Sequence, residues 1–320
     1  MDRAPIFRIG RREFVKLAGA STTLALSSPA FGVTAEQSAV VQADMNNLSV
    51  SEKMMHATVR IVSPIDATHG IVGTGFLFQF PAGPDRFRVV VVTNKHVIAG
   101  PGAGYFWLTQ MKSDGTADFT QRLTVTANWK TDAILHPNPE IDLAVIPIGA
   151  ALNTFINAGK PAFIATLDKS LIPTEDAMKD LVPLVPLVTV GYPEGIIDSK
   201  NNLPVFHRGV AATPLYVDFE GKPDFLIDIA TWPGSSGSPV FLYESGTIFD
   251  PRKRQFSVGE RLQLLGIIYK DFEKNSAGKI EIHNPPSSSD DTAMRNPMNI
   301  GICVKSRFIS DFEPLVAKLR

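Results

Sequence analysis

The sequence predicts an all-β fold, a barrel or a sandwich, made of many short strands. From about Ala57 onward, short apolar runs alternate with turn residues, mainly Gly, Pro, Asn and Asp. The alternating pattern of residues 76–80 predicts a strand with one buried face, and the unbroken apolar run at residues 89–93 predicts a strand buried on both faces. Hydrophobic residues make up 44% of the 320 residues and charged residues 20%, which is the balance of an ordinary globular protein.

The first 35 residues have the pattern of an export signal that is not part of the fold. A basic region with Arg11 and Arg12 precedes a mildly apolar run at residues 17–26, and small residues follow, which is the order of regions in a signal peptide. Phe14 stands two residues after the paired arginines, so the segment resembles a twin-arginine export signal. The alternative is a basic amphipathic N-terminal helix.

Small residues near the end of this segment offer two cleavage positions, after Gly32 or after Ala35. The apolar run before them is short and contains Ser, Thr and Gly, so we expect no stable membrane span in the mature chain. The mature protein is therefore expected in the periplasm or outside the cell.

Apolar runs bounded by turn residues are the predicted strands, and an N-terminal arm or short helix at residues 36–55 precedes them. The predicted strands are residues 58–62, 73–80, 88–93, 105–109, 123–129, 143–147, 187–191, 205–212, 225–230, 239–243, 262–269 and 300–304. Residues 246–261 and 271–299 are polar or rich in Pro, Ser and Asp, so we expect surface loops there. Apolar residues at helical spacing over residues 308–319 predict a C-terminal helix.

Three polar residues each lie beside an apolar run. His96 follows the predicted strand at residues 88–93, Asp142 precedes the one at 143–147, and Ser236 lies in a Gly- and Ser-rich segment before Pro239. A serine hydroxyl is a weak nucleophile unless an imidazole takes its proton and a buried carboxylate orients that imidazole. A carboxylate that enters a buried strand is costly unless it is hydrogen bonded, and His96 is the expected partner of Asp142. These three residues are the predicted catalytic group.

Each of these residues has competitors. Glu140 and Asp132 compete with Asp142, but both have a more solvent-facing sequence context. His136 lacks the long apolar strand that precedes His96, and a structural role is expected for it and for the other histidines, which are His56, His69, His207 and His283. On its own, the segment around Ser236 is more typical of a Gly- and Ser-rich hairpin without chemistry than of a nucleophile.

Glycines flank the predicted nucleophile. Gly234 and Gly237 allow a tight turn around Ser236 that a β-carbon would obstruct. Such a turn can aim the backbone N–H groups of Gly234 and Ser236 at one point, where two donors stabilise the negative oxygen of a tetrahedral intermediate. These two N–H groups are the predicted oxyanion hole.

The order His, Asp, Ser along the chain is that of chymotrypsin-like enzymes, whereas subtilisins and α/β-hydrolases have other orders. Four further segments resemble segments of these chymotrypsin-like enzymes and occur in the same order along the chain. They are residues 73–78, 190–193, 265–269 and 300–306. From about Ala57 to its C-terminus the chain therefore resembles a bacterial trypsin-like (chymotrypsin-fold) serine protease. The resemblance implies two six-stranded antiparallel β-barrels and a C-terminal α-helix.

The domain boundaries that follow are a signal peptide at residues 1–35, the arm at 36–55, a first barrel at 56–165 with His96 and Asp142, a second barrel at 166–306 with Ser236, and the C-terminal helix at 307–320.

The resemblance does not imply zymogen activation by a new N-terminus, because Ser235 stands where digestive trypsins have aspartate. Ala230 stands where those enzymes have the acid that selects Lys or Arg, although Asp228 is close in sequence. The implied substrate pocket is small to medium and weakly polar, which favours uncharged P1 side chains, and it consists of Ala230, Thr231, Ile268, Tyr269 and Gly301.

Composition and motifs argue against several other classes of function. With a net charge of −1 and a pI near 6.6, the chain has no excess of basic residues that would indicate nucleic-acid binding. The sequence has no His-Glu-x-x-His motif, no paired cysteines and no Gly-rich phosphate loop, so we expect no metal and no other cofactor. Cys303 is the single cysteine, which rules out an intrachain disulfide, and its apolar surroundings predict a buried small hydrophobe.

The function predicted from the sequence is an exported serine endopeptidase that cleaves polypeptides through an acyl-enzyme on Ser236, with esterase activity as a side reaction of the same chemistry. The alternative is a protease-fold binding protein that is inactive, or gated by a partner that orders the loops around Gly234. The sequence carries no signal for the oligomeric state.

Overall fold

A computed structural model of the chain describes residues 7–8, 23–25, 48–66, 69–84, 86–193, 198, 200–274, 280–283 and 296–319. Two β-sheets make up most of this part of the protein. The first is built from the N-terminal half of the chain and the second from the C-terminal half, and they meet along a shared apolar layer.

Among the described residues, the first sheet has ten strands, which are β1 Phe7–Arg8, β2 Thr23–Ala25, β3 Thr58–Pro64, β4 His69–Gly83, β5 Arg86–Thr93, β6 Ala103–Met111, β7 Ala117–Asn128, β8 Ile134–Leu135, β9 Ala144–Pro147 and β10 Ala162–Phe163. Six of them form its antiparallel body in the order β7-β6-β3-β4-β5-β9. The remaining four are pieces of two or three residues on its edges.

The second sheet has seven strands in the part of the chain that the structure describes, which are β11 Pro186–Gly191, β12 Val205–Ala211, β13 Asp224–Asp228, β14 Pro239–Asp250, β15 Gln255–Lys274, β16 Ile280–His283 and β17 Asn296–Lys305. Six of them close into a ring, because β14 pairs both with β11 and with β15. The outer strand β16 adds to β15. A body of six strands in each sheet confirms the predicted all-β, chymotrypsin-like fold.

Helices are short and lie between or after the strands. In the described part of the chain, the α-helices are α1 Val50–Ala57, α2 Trp129–Asp132, α3 Gly149–Asn157, α4 Glu175–Asp180 and α5 Glu313–Val316, and the 3₁₀ turns are His96–Ile98, Lys169–Leu171, Phe219–Gly221 and Ser306–Phe312. Among the described residues, no helix is long and apolar enough to cross a membrane. The predicted C-terminal helix is a 3₁₀ segment followed by one α-helical turn, because Pro314 has no N–H to continue an α-helix through this point.

The valine run in β5 shows how the two barrels meet. Val89 and Val91 pack into the core of the first barrel. Val90 and Val92 point the other way, into an apolar layer that also contains Phe241 of the second barrel. All four valines are buried, so the strand is covered on both faces, as the unbroken apolar run predicted.

A separate apolar cluster fills the second barrel. Phe225, Ile227, Leu265 and Ile268 pack in it around Cys303. The single cysteine is completely buried, as predicted, and its burial raises the pKa of the thiol well above its usual value.

The prediction of a surface loop at residues 246–261 is wrong. β14 and β15 pair residue by residue from Gly246↔Gly259 to Asp250↔Gln255, so this stretch is the outer end of a long hairpin. The hairpin end carries charged residues because its residues 251–260 are all exposed to solvent. The polar composition of this stretch therefore reflects the solvent exposure of two paired strands, and not an irregular loop.

Two other expectations also differ from the structure in part. Within the predicted loop at residues 271–299, β15 continues to Lys274, β16 is present and β17 begins at Asn296, while residues 275–279 and 284–295 lie outside the described part. In the predicted export segment, β1 pairs with β4 and β2 with β7, so these five residues are not separate from the fold. Exposed strand edges have unpaired N–H and C=O groups that accept such short additions. The export signal and the domain boundaries stay predictions.

Candidate active site

His96 and Asp142 are in direct contact beside the boundary between the barrels. β5 and β9 are antiparallel neighbours with Thr93 opposite Ala144, so the residues just after β5 lie close to those just before β9. The His96 Nδ1 atom is 2.5 Å from Asp142 Oδ2, and the His96 backbone N–H donates to Asp142 Oδ1 at 3.2 Å. Both carboxylate oxygens of Asp142 are thus used to hold one histidine.

The environment of Asp142 keeps its carboxylate ionised. Burial raises the pKa of Asp142, but electrostatic attraction to His96 and the hydrogen bonds from His96 and the Lys95 backbone outweigh burial, so the pKa lies below its usual value. The side-chain amide of Asn94 donates to the Asp142 carbonyl at 2.7 Å and fixes the backbone at this point. An ionised, oriented carboxylate of this kind selects the His96 tautomer with its proton on Nδ1.

The competing acids are engaged elsewhere or face solvent. Glu140 is exposed. Asp132 accepts the backbone N–H of Asn128 at 2.8 Å and stabilises the start of α2. His136 is buried between the rings of Phe308 and Phe312, and its Nε2 atom is 3.1 Å from an Asp311 oxygen, so it ties the C-terminal segment to the first barrel.

Ser236 lies on a tight turn between two glycines in left-handed conformation, Gly234 with φ of 91° and Gly237 with φ of 88°. The backbone N–H of Ser235 donates to Trp232 at 2.9 Å, and that of Gly237 donates to Ile268 at 2.8 Å. A β-carbon on Gly237 would lie 1.8 Å from the carbonyl oxygen of the first-barrel residue Thr74. Only glycine fits at this position.

Thr74 on β4 connects the first barrel to this turn. Its N–H donates to the Ser236 carbonyl at 2.8 Å, and its Oγ1 atom donates to the Gly234 carbonyl at 2.9 Å. The Thr93 hydroxyl donates to the Thr74 carbonyl at 2.8 Å, and the Tyr192 N–H donates to Thr74 Oγ1 at 3.0 Å. The barrel that holds His96 is therefore hydrogen bonded to the turn that holds Ser236.

The nucleophile and the base of the predicted triad are not joined by a hydrogen bond. Within the described part of the chain, His96 Nε2 is buried and has no hydrogen-bond partner, and Ser236 is 1% exposed. The structure thus brings together two of the three predicted catalytic side chains and places the third on a turn anchored to the same barrel. In enzymes without substrate, catalytic hydrogen bonds are often long or poorly aligned and tighten in the substrate complex.

The five predicted pocket residues fall into two groups. Thr231 is fully buried and close to Gly301, where a β-carbon would lie 2.9 Å from Thr231 Cγ2. Ile268 packs in the core of the second barrel, and Ala230 beside Thr231 is half-buried. Tyr269 is the member of the five that lines a described cavity.

That cavity has a volume of about 960 Å³ and opens beside His96 and Asp142. Asp224, Tyr269 and Lys270 form its wall on the second barrel. The Tyr269 hydroxyl donates to Asp224 Oδ2 at 2.5 Å, and burial raises the pKa of Asp224. No group of three potential metal ligands among His, Cys, Asp and Glu occurs in the described residues.

Sequence reasoning did not single out Thr74, Asn94 or the Tyr269–Asp224 pair. The sequence offers one indication of Thr74 and Asn94, because each is a polar residue next to an apolar run. In the structure both side chains are completely buried. A buried polar side chain needs a hydrogen-bond partner. The Tyr269–Asp224 contact joins two strands of the second barrel and has no local sequence signal.

Comparisons with known proteins agree with the sequence pattern. A family model described as "Trypsin-like peptidase domain" matches residues 73–249, which is more than half of the chain. A search of curated proteins found no significant match.

Two crystal structures of an inactive form are similar at low identity. A serine-to-alanine mutant of Rv3671c from M. tuberculosis H37Rv is 17% identical over 86% of this chain and 91% of that chain, with a TM-score of 0.39. The Rv3671c protease is 18% identical over 84% of this chain and 91% of that chain, with a TM-score of 0.37. Similarities this low assign neither a substrate nor a mechanism.

Proposed function

Because the chain belongs to the trypsin-like peptidase domain family, we propose that it is a serine endopeptidase that forms an acyl-enzyme on Ser236. The observation that carries the proposal is the His96–Asp142 pair, with Nδ1 and Oδ2 2.5 Å apart. The opposite ring nitrogen of His96 has no hydrogen-bond partner among the described residues. This is the arrangement of a general base whose working nitrogen is left for the nucleophile.

In the proposed mechanism, Ser236 Oγ attacks the carbonyl carbon of the scissile peptide bond while His96 Nε2 takes the hydroxyl proton. Asp142 holds the imidazole in the correct tautomer and stabilises the imidazolium that forms. His96 then donates the proton to the leaving amine, and the acyl group stays on Ser236 as an ester. In the second half, His96 removes a proton from water, which attacks the ester and releases the acid.

The proposed oxyanion hole consists of the N–H groups of Gly234 and Ser236. Support comes from the turn itself, in which the alternate N–H groups of Ser235 and Gly237 already bond to backbone carbonyls. Each correctly placed donor contributes about 3–4 kcal/mol to stabilisation of the tetrahedral intermediate.

We further infer a preference for uncharged P1 side chains, because Ala230 and Thr231 bring no charge to the implied pocket. A peptide-library profile dominated by Arg or Lys at P1 would contradict this preference. The proposed location is the periplasm or the exterior of the cell, supported by the pattern of residues 1–35. Protease treatment of intact cells and of spheroplasts tests the location.

Fluorophosphonate labelling with mass-spectrometric mapping tests the proposed nucleophile. We expect the label on Ser236, and we expect Ser236→Ala to lose both labelling and peptide hydrolysis. Ser235→Ala is the matched control, since Ser235 is an adjacent buried serine of the same turn. Peptide hydrolysis that survives in Ser236→Ala would refute the assignment.

A second candidate function is a gated protease or a protease-fold binding protein. The 1% exposure of Ser236 and the missing Ser236–His96 hydrogen bond favour it, because attack on a polypeptide needs an accessible nucleophile. In that case the resting protein fails to label at Ser236 and labels only after a peptide or protein partner is added. Labelling of the resting protein at full rate would favour the constitutive enzyme.

A further inference from the structure

The outer end of the β14–β15 hairpin lies outside the closed ring of six strands in the second barrel. From Glu244↔Arg261 to Asp250↔Gln255 the two strands pair only with each other in the described part of the chain. Residues 251–260 are all exposed. This end adds no backbone hydrogen bond to the closed ring of six strands, so barrel closure does not explain its composition.

One face of the hairpin end is apolar. Phe249 lies opposite Phe256, and Val258 lies two residues further along on the same face, opposite Thr247. The exposed fractions are 47% for Phe249, 73% for Phe256 and 87% for Val258. The two phenylalanine rings contact each other with centroids 4.9 Å apart. Adjacent large apolar side chains that stay exposed together are typical of an interaction surface.

The turn that closes the hairpin is basic. Residues 250–254 contain one aspartate and three basic side chains, a formal charge of 3 − 1 = +2 in a chain whose net charge is −1. Asp250 accepts the backbone N–H groups of Arg252 and Lys253 at 3.0 and 3.1 Å, and its other oxygen is 3.5 Å from Lys253 Nζ. Arg254 forms no ion pair with any described residue. The apolar face and the positive charge thus lie at the same end.

Arg252 fixes this end in place. Its Nε and Nη2 atoms donate to the carbonyl oxygens of Asp180 and Lys179, at 2.7 and 2.8 Å, where α4 ends. Carbonyl groups do not neutralise the guanidinium charge, and a cation is favourable at a helix C-terminus. A hairpin held in this way loses little conformational entropy when its surface binds a partner.

We propose that the hairpin end, defined as Phe249, the turn 250–254, Phe256 and Val258, binds the surface of an anionic lipid membrane. Aromatic and aliphatic side chains enter the interface, and Lys and Arg contact the negative headgroups. Glu260 follows Val258 on the same face by two residues, roughly 7 Å of strand, and stays at the water side. This inference is independent of the proposed peptidase activity.

Vesicle co-sedimentation of the full chain tests the proposal. We expect the protein to sediment with vesicles of phosphatidylglycerol and phosphatidylcholine, to remain in solution with phosphatidylcholine alone, and to dissociate as salt is added. Phe256→Ser with Val258→Ser removes exposed apolar area and is expected to weaken binding at least about tenfold. Lys253→Gln with Arg254→Gln is expected to weaken binding to the anionic vesicles about fivefold or more.

Matched controls keep the result specific. Phe206→Ser and Val217→Ser change side chains that are 40% and 49% exposed outside the hairpin, and they should bind vesicles like the parent protein. Thermal unfolding of every variant shows whether the fold is kept. The proposal is overturned if the folded parent protein binds no anionic vesicle, or if the double serine variant binds unchanged. It is also overturned if the parent protein binds polyglutamate and not vesicles, or if the hairpin variants lose only self-association in light scattering.

Discussion

Two glycines with the same backbone conformation have very different surroundings in this protein. Gly237 has φ of 88° and Gly246 has φ of 87°, both in the left-handed region. A β-carbon on Gly237 would lie 1.8 Å from Thr74 O, whereas one on Gly246 would meet nothing within 4 Å. The pair separates the cost of backbone conformation from the cost of a steric clash.

We predict that Gly237→Ala lowers the free energy of unfolding by several kcal/mol and nearly abolishes peptide hydrolysis, because the turn with Ser236 must move away from Thr74. Gly246→Ala should cost only the left-handed strain of about 1–2 kcal/mol and leave activity unchanged. Urea denaturation and a peptide-hydrolysis assay measure the two effects. Equal destabilisation in both variants would show that the clash is relieved at no cost.

The Asp142 carboxylate is the second feature at the residue scale with a measurable consequence. Asp142→Asn leaves the side-chain volume almost unchanged but allows His96 to adopt the tautomer that, in the proposed mechanism, cannot accept the Ser236 proton. We predict a loss of about 10⁴-fold in kcat, the size seen for this change in a chymotrypsin-like enzyme. Glu140→Gln removes an exposed acid two residues away and is expected to change kcat less than twofold. Similar losses in the two variants would argue for a general charge effect.

At the scale of elements, the last turn of α1 contains His56, a histidine whose burial favours its neutral form. His56 stacks on Phe119 with ring centroids 6.0 Å apart and meets the edge of Phe163 at 4.7 Å. Burial lowers the pKa of His56 from 6.5 to about 4, and Glu52 offsets only part of this effect. These two ring contacts link α1 to β7 and β10 of the first barrel.

The depressed pKa of His56 predicts a pH-dependent stability. Between about pH 6.5 and pH 4 the unfolded chain binds a proton at His56 that the folded chain does not, so stability falls as the pH falls through this range. One such group contributes at most about 1.4 kcal/mol per pH unit. His56→Phe keeps a ring against Phe119 and Phe163 and should reduce the slope. Urea denaturation at pH 4, 5, 6 and 7 measures it, and an unchanged slope would assign the effect to other groups.

Sequence patterns at this scale predicted elements that bury a face and missed elements that do not. Residues 89–93 were recognisable because both faces of β5 are covered by apolar neighbours. The stretch at residues 246–261 predicts a loop because polar and charged residues dominate its composition, and the few apolar residues of these strands stay exposed. The His96–Asp142 contact followed from flanking strands and chemistry, whereas the Tyr269–Asp224 pair depends on how β13 and β15 lie in the closed ring.

At the scale of the whole molecule, Thr74 joins the two halves of the proposed catalytic group. It sits on the first barrel, yet its N–H and hydroxyl groups both donate to the turn around Ser236. The same hydroxyl accepts the N–H of Tyr192, which directly follows β11 of the second barrel. Alignment of Ser236 with His96 therefore depends on contacts across the barrel boundary.

We predict that Thr74→Val lowers the free energy of unfolding by about 2–4 kcal/mol, because it leaves the Gly234 carbonyl and the Tyr192 N–H without their partner. Peptide hydrolysis should fall as well, since the Ser236 turn loses an anchor. Thr74→Ser keeps the hydroxyl, loses one methyl group at a cost of about 1 kcal/mol, and should retain most activity. Chemical denaturation and kcat of both variants provide the test. If the valine and serine variants behave alike, the hydroxyl does not couple the barrels.

The buried thiol gives this chain a built-in reporter. Thiol reagents attack the thiolate, and Cys303 is both enclosed and hard to deprotonate in the folded C-terminal half. Because the sequence has no other cysteine, the rate of alkylation measures how often the C-terminal half opens. Fraying of the N-terminal half does not contribute to this rate. Comparing that rate with global melting would reveal whether the halves come apart together or one before the other.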